Sequence, residues 1–382
     1  MPSLVIGIDA SRAVRPHSQR TGTELYSRQL IRHLAPLLAQ RRPPVALRLY
    51  SNAPPDPALM LPGVDWRVMP FPRLWTHVRL TTEMARHPPA LLFVPAHVLP
   101  LWLPARTLVT VHDLGYLHFP DAHTRWQRRY LDWSTRWNVY AATRVLADSQ
   151  ATAHDLESLL GTPRDKIRVV YPGFERTHER PDNLPAAEIL DRYEIRPPYV
   201  LYVGTLQPRK NLARLAHAFA RVLAAWQASG PRPQLVLAGR AGWLSDQVLH
   251  DITQAGLGDA VRITGFVPDN DLQILLANAT LLAFPSLHEG FGFPILEAQA
   301  VGVPGLTSAP SSCPDVAGEG ALLVDPLDVE AIAGGLHQLL DDASLRTRLV
   351  QLGESNLPRF SWPQAAQQVL DVLDELLTEG GT

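Results

Sequence analysis

Residues Pro285–Pro304 read PSLHEGFGFPILEAQAVGVP and are entered from an apolar run, Leu281–Phe284. The run has the composition of a buried strand, Gly290 and Gly292 loosen the backbone after it, and Pro294 stands where a helix begins. The stretch predicts strand, glycine loop and helix in succession. Free N–H groups at such a helix start, with the positive end of its dipole, suit a phosphate. The flanking side chains do not, because Glu289 and Glu297, eight residues apart, would repel one. An ionised carboxylate accepts two O–H donors at once, so the pair suits the hydroxyls of ribose and hexose. A loop that cradles phosphate between two such carboxylates fits a nucleotide sugar, with Glu289 toward the sugar and Glu297 toward the ribose. Two solvated helix-end glutamates are the plain alternative, and the Gly-Phe-Gly-Phe-Pro between them weighs against it.

Outward from this stretch the chain alternates apolar runs with amphipathic segments. Further strands are expected nearby at Tyr199–Val203, Gln234–Ala238, Val261–Thr264 and Ala321–Val324. Earlier strands are expected at Leu4–Ile8, Val45–Tyr50, Trp66–Met69, Leu91–Val94, Thr107–Val111, Arg144–Ala147 and Ile167–Tyr171. Helices are expected between them at Glu24–Ala39, Thr76–Arg86, His123–Ala142 and Gln150–Leu160. The alternation predicts an α/β chain of doubly wound parallel sheets, whose ligands bind at the carboxyl ends of strands. At 382 residues it is too long for one ordinary core. The expected division is a Rossmann-like domain over 1–175, a proline-rich charged linker over 176–198, a second such domain over 199–360, and a closing helix within 361–382.

The loop after the first strand of the second domain reads GTLQPRKN, residues 204–211. Gly204 ends the strand, Pro208 stiffens the turn, and Arg209 and Lys210 precede a helix that Asn211 is placed to cap. Two cations there can neutralise a diphosphate, most importantly as it leaves. Lys166 and Lys210 are the only lysines, against 33 arginines, so a lysine here points to a site that needs a compact ammonium. In the first domain His112 follows the strand Thr107–Val111, where it can bond a sugar hydroxyl or move a proton, with Asp113 a helper or loop cap. A polar loop carrying Arg12, Arg15 and Arg20 ends at Gly22 before the first helix.

The stretch Glu289–Glu297 resembles the E-x7-E motif of retaining glycosyltransferases of the GT-B fold, in particular glycosyltransferase family 4, and the similarity runs from about Tyr199 to Trp362. The resemblance implies two Rossmann-like domains facing each other across a cleft. It implies donor contacts from Gly22, Gly204, Thr205, Gly290, Phe291, Gly292 and Glu297, and catalytic roles for His112, Glu289, Arg209 and Lys210. Many relatives carry arginine where this chain has Thr205, so Arg209 is expected to supply that charge. The final helix, by the same resemblance, crosses back to the first domain.

Composition narrows the class further. A single cysteine, Cys313, excludes an internal disulfide and any thiolate metal site. No apolar run approaches roughly 18 residues and no basic leader precedes the first strand, so a cytoplasmic protein is expected. The net charge of -2 hides an asymmetry: residues 1–175 hold 21 basic against 13 acidic groups, and the remainder 14 against 24. The basic half suggests an anionic partner such as a membrane surface or a phosphate-bearing lipid carrier, and nucleic acid would need a denser patch. Trp126, Tyr130, Trp133, Trp137 and Tyr140 share one face of the helix expected at His123–Ala142. As in most amphipathic helices this face is expected to pack on the sheet, the alternative being a membrane or polyprenyl-linked acceptor. Asp269-Asn270-Asp271 matches a D-x-D metal motif but stands at a helix start, where capping explains it, so neither a metal nor a cofactor is expected.

These residues predict a retaining hexosyltransferase acting on a glycan or lipid-linked glycan. The combination of GTLQPRKN with HEGFGFPILEA looks most like bacterial mannosyltransferases and favours GDP-mannose as donor. A nucleotide-sugar epimerase or phosphorylase-like enzyme of the same fold is the alternative within enzymes, and a non-catalytic sugar-binding protein the alternative outside them. A dehydrogenase would need G-x-G-x-x-G and a P-loop enzyme G-x-x-x-x-G-K, and neither occurs.

Overall fold

The computed structural model describes residues 4–15, 22–41, 44–55, 57–96, 98–120, 124–175, 186–227, 230–242 and 245–378. Arg20, His123 and residues 176–185 of the expected linker lie outside them. Contacts divide the chain into two units, Met1–Glu175 with Phe360–Thr382, and Arg176–Arg359. The strands are β1 Leu4–Asp9, β2 Val45–Ser51, β3 Val64–Val68, β4 Leu91–Val94, β5 Thr107–Val111, β6 Arg144–Ala147, β7 Ile167–Val169, β8 Tyr199–Val203, β9 Gln234–Ala238, β10 Val261–Gly265, β11 Leu281–Phe284, β12 Gly305–Ser308 and β13 Ala321–Val324. The helices are α1 Gly22–Gln40, α2 Thr81–Arg86, α3 Gly115–His118, α4 Arg125–Ala141, α5 Gln150–Leu160, α6 Ala186–Arg192, α7 Leu212–Ala225, α8 Ser245–Gln254, α9 Asp269–Ala277, α10 Phe293–Ala300, α11 Cys313–Ala317, α12 Val329–Asp341, α13 Ala343–Asn356 and α14 Trp362–Thr378.

The first unit is a parallel sheet in the order β3-β2-β1-β4-β5-β6-β7, and the second a parallel sheet in the order β10-β9-β8-β11-β12-β13. Central strands buried on both faces need continuous apolar sequence, which β4 (LLFV), β8 (YVLYV) and β11 (LLAF) supply. In each unit the strand order reverses once, between β1 and β4 and between β8 and β11, and a crevice opens there at the carboxyl ends. β12 was not expected from the sequence: its four residues, GLTS, are fully buried yet neither apolar nor long. The helix expected over Thr76–Arg86 is a π-helix, Trp75–Leu80, running into α2.

In the first unit α14 lies along α1, burying Trp362, Ala366, Val369, Leu373 and Leu376 with Tyr26, Leu30, Ile31, Leu34 and Leu38. Gly173 permits the approach at its start, since a Cβ there would stand 2.3 Å from the Trp362 amide nitrogen. In the second unit α6 packs beside α9, where Arg192 and Tyr193 donate to Asp271 at 3.0 and 2.9 Å. Asp271 is therefore an anchor for α6, and Pro268, the residue at the N-cap of α9, makes no side-chain cap.

The aromatic face of α4 does not pack on the sheet as expected. Trp126 and Tyr140 are 79% and 82% exposed, and Tyr130 and Trp133 are exposed too, whereas Ser134, Asn138 and Val139 are buried. The small and amide side chains let the helix come close, and Asn138 accepts the Leu99 amide at 2.9 Å, fixing which face turns inward. A capping box at Thr124 and Gln127 starts this helix. Among the described residues no helix is long and apolar enough to cross a membrane.

Candidate active site

In the second unit the loops after β8 and β11, neighbours at the point of strand reversal, are drawn together. The Leu287 amide donates to the Arg209 carbonyl at 2.9 Å. Asn211, in the left-handed region at φ 62°, donates its buried amide to the carbonyls of Pro285 at 3.0 Å and Pro326 at 2.6 Å. It latches three loops together, in place of the side-chain cap expected of it. The preceding turn, Pro208–Lys210, thereby delivers two cations to Glu289: Lys210 Nζ stands 2.5 Å from Oε1, and Arg209 NH1 stands 3.2 Å from Oε2 while also bonding the His288 carbonyl. Lys210 Nζ also lies 4.9 Å over the Phe284 ring.

Glu289 is buried, and burial alone would raise its pKa; Lys210 and Arg209 override this and hold it below the ordinary carboxylate value. Its backbone is held as firmly. The Glu289 amide donates to Ser311 Oγ at 2.7 Å, Ser311 returns a bond to the Glu289 carbonyl at 2.9 Å, and Ser312 Oγ reaches the carbonyls of Glu289 at 2.9 Å and Phe291 at 2.7 Å. Gly292, at φ 113°, makes the turn into α10, a conformation closed to other residues. The outcome is an ionised carboxylate gripped by two cations just ahead of a helix amino end, a set of groups suited to a ligand with both anionic oxygens and hydroxyls.

The first unit has its own strand-end constellation. His112, after β5, places Nδ1 at 2.5 Å from Asp148 Oδ2, after β6. Burial works to lower the histidine's pKa, and the Asp148 carboxylate overrides it and holds the ring above its ordinary value. Among the described residues, His112 Nε2 and Asp148 Oδ1 are both buried without a hydrogen-bond partner. His112 borders a cavity of about 590 Å³ at the ends of β1, β4 and β5, lined also by Asp9, Arg12, Asp113 and Tyr130. Burial pushes Asp9 up to about 6 against the bonds from Ser11 and the charge of Arg12.

Residues 188–355 match the family described as glycosyl transferases group 1, and residues 21–178 match glycosyltransferase family 4. The O-antigen chain mannosyltransferase B of Escherichia coli is 32% identical over 268 residues, 70% of this chain and 69% of that protein. The chain belongs to the group 1, family 4 glycosyltransferases. The serotype-specific mannosyltransferase WbdA of Escherichia coli is 27% identical over 288 residues, 72% of this chain and 34% of that longer protein. Among solved structures, sucrose-phosphate synthase from Thermosynechococcus elongatus has a TM-score of 0.73 at 20% identity, over 99% of this chain and 100% of that one. The fold of this glycosyltransferase is GT-B.

Of the residues the sequence singled out, Arg209, Lys210 and Glu289 form one cluster, with Gly290, Phe291 and Gly292 directly following in the chain. Glu297 lies farther along α10, half-buried, and among the described residues no hydrogen bond or ion pair joins it to the cluster. Burial, with Asp269 adding to it, pushes its carboxyl up to about 7. Gly204 ends β8, and exposed Thr205 accepts the Tyr202 hydroxyl through its carbonyl at 3.2 Å. The Phe291 ring is buried against Phe293, so only its backbone is available to a ligand. In the first unit Gly22 opens α1, and half-buried Arg12 and exposed Arg15 lie 2.9 and 3.8 Å from buried Glu24. Asp113 caps the turn after His112 by accepting the Gly115 amide at 2.9 Å. Sequence reasoning missed Asp148, Ser311 and Ser312. Asp148 had a signal, an acidic residue between the end of β6 and the Ser149 cap of α5; the two serines had none.

Proposed function

We propose that this glycosyltransferase moves a mannosyl group from GDP-mannose to a hydroxyl of a glycan or lipid-linked glycan, with retention of the anomeric configuration and without a metal. The observation that carries the reading is the convergence of Lys210 and Arg209 on Glu289 at the strand-reversal point of the second unit. In the transfer the anomeric C–O bond to the diphosphate breaks and its electron pair leaves on the phosphate oxygen. The acceptor oxygen bonds the anomeric carbon on the same face, and the acceptor proton passes to the departing phosphate. Charge then builds on the diphosphate, and Lys210 and Arg209 stabilise it as fixed electrostatic groups, with the amino end of α10 beside them. Glu289, ionised and acceptor-only, orients the sugar through its hydroxyls, and Glu297 takes the ribose hydroxyls. His112, held by Asp148, offers Nε2 to a sugar hydroxyl. The choice of mannose is supported by the two mannosyltransferase relatives and by the GTLQPRKN and HEGFGFPILEA segments.

The test is thermal stabilisation by GDP, UDP, ADP and NAD in the presence of chelator, followed by transfer from GDP-mannose with the product's anomeric configuration read by NMR. A nucleotide at about a hundred times its Kd adds about 2.7 kcal/mol to the native state. GDP is expected to protect the wild type and to lose that effect in Lys210→Ala. Protection by UDP alone would remove the mannose assignment and leave the transferase, whereas silence toward every nucleotide would sink the reading.

A further inference from the structure

The outward face of α4 is the largest feature that donor chemistry leaves unused. Trp126, Tyr130 and Trp133 stand exposed along it with Arg125, Arg128 and Arg129, and Arg129 lies 5.8 Å over the Trp126 ring. The helix carries four arginines against one acid, Asp132, which Arg136 already pairs at 3.0 Å. The face continues onto the neighbouring π-helix, where His77 bonds the Tyr130 hydroxyl at 2.9 Å and its ring sits 5.5 Å from Trp133. Val78 and Leu74 are exposed there, and beyond them Leu101 and Trp102 are exposed on the loop that the Thr81 hydroxyl and the Trp137 indole tie down.

Large exposed aromatic groups are unfavourable in water and rarely gather on one surface without a partner. A protein partner would match this face with acids or apolar pockets. Amphipathic rings flanked by the guanidinium groups of Arg125, Arg128 and Arg129, which pair with no carboxylate among the described residues, instead match the boundary of an anionic bilayer, where the rings sit among headgroups and arginines meet phosphates. The same polarity holds across residues 1–175, with 21 basic against 13 acidic groups.

We propose that the α4 face, with the π-helix and the 99–103 loop, docks this protein on the surface of an anionic phospholipid bilayer. Tyr130, His77 and Leu74 belong both to this face and to the wall of the 590 Å³ cavity. Docking therefore brings the cavity to lipid headgroups, where a lipid-linked acceptor would be presented; that last step rests on the transfer proposed above, and the docking itself does not.

The experiment is co-sedimentation of the full chain with vesicles of phosphatidylcholine alone and of phosphatidylcholine mixed with phosphatidylglycerol, at low and high salt. Binding is expected only to the mixed vesicles and to weaken with salt. Each arginine at such a surface contributes roughly fivefold, so Arg128→Gln with Arg129→Gln should weaken binding roughly 25-fold. Trp126→Ser with Trp133→Ser should weaken it further at unchanged salt dependence. Both double variants alter exposed side chains, so protection by nucleotide and transfer to a water-soluble acceptor should persist in them, which separates failure of docking from failure of the catalytic reading. Equal binding to neutral vesicles, binding that survives both double variants, or a dimer in sedimentation velocity that the same variants dissolve would overturn the proposal.

Discussion

Glu297→Gln is expected to make the protein more stable at neutral and alkaline pH while weakening its hold on nucleotide. The carboxyl is pushed from its ordinary 4.5 to about 7, first by burial and then by the nearby charge of Asp269. The sign follows from linkage. Between those two values the native state keeps a proton that the unfolded chain has released, so native stability falls as pH rises through this window and flattens above it. The slope is about 1.4 kcal/mol for each pH unit, and across the window the loss approaches about 3 kcal/mol, an upper bound because the side chain is only half-buried. Glutamine cannot ionise and escapes this penalty, though its amide still seeks partners, so a net gain of about 1–2 kcal/mol above pH 7 is expected and none at pH 4. In the second unit that corresponds to a rise in melting temperature of about 2–8 °C. The assay is the melting temperature of wild type and variant across pH 4–8.5, each with and without GDP. If Glu297 grips ribose hydroxyls in its ionised form, wild-type affinity for GDP should also fall below pH 7, and the variant should lose both the affinity and its pH dependence. A difference in melting temperature that does not change with pH would refute the burial argument, and undiminished nucleotide affinity in the variant would refute the ribose role.

Ser312→Ala leaves two buried carbonyls, those of Glu289 and Phe291, without the hydroxyl that serves both, and should cost about 2 kcal/mol of stability. Because the same bonds aim Glu289, kcat should fall more than nucleotide affinity; an unchanged kcat would show that Ser311 suffices. In Asp148→Asn the histidine loses the carboxylate that raises its pKa, so whichever limb of the kcat/KM profile belongs to His112 should move to lower pH, and a limb that stays in place would remove the pair from the reaction. Gly173→Ala forces a methyl group against the Trp362 backbone, and limited proteolysis should then cut between the first unit's core and α14, at a loss of about 3 kcal/mol or more. Resistance equal to wild type would mean that the helix shifts without detaching.

The fold was largely legible because parallel strands buried on both faces advertise themselves as short apolar runs; β4, β5, β6, β8, β9, β11 and β13 stand where their sequences place them. β12 escaped notice because GLTS carries neither an apolar run nor alternation, and its place is set by pairing with β11 and β13. The candidate site was legible in part. Arg209, Lys210 and Glu289 could be named because glycine loops after apolar strands mark ligand positions, but their mutual contact spans 79 residues of sequence and no local rule predicts it. Asp148 was missed because its importance derives wholly from His112, 36 residues away.

The sequence by itself determined most of the strand and helix segments, the two doubly wound halves and the chemical types of the site residues, because propensity, turn chemistry and apolar spacing act over a few residues and are written in consecutive letters. Only the tertiary structure decided that Glu289 is clasped by Lys210 and Arg209, that Asn211 latches loops where a helix cap was expected, and that α4 turns Ser134 and Asn138 inward and Trp126 and Trp133 out. Those outcomes depend on which strands become neighbours and how closely a helix can approach the sheet. Hydrophobic patterning alone favoured burying the aromatic face; the close fit of Ser134 and Asn138, with the amide bond to Leu99, selected the other face and left the aromatic one to solvent.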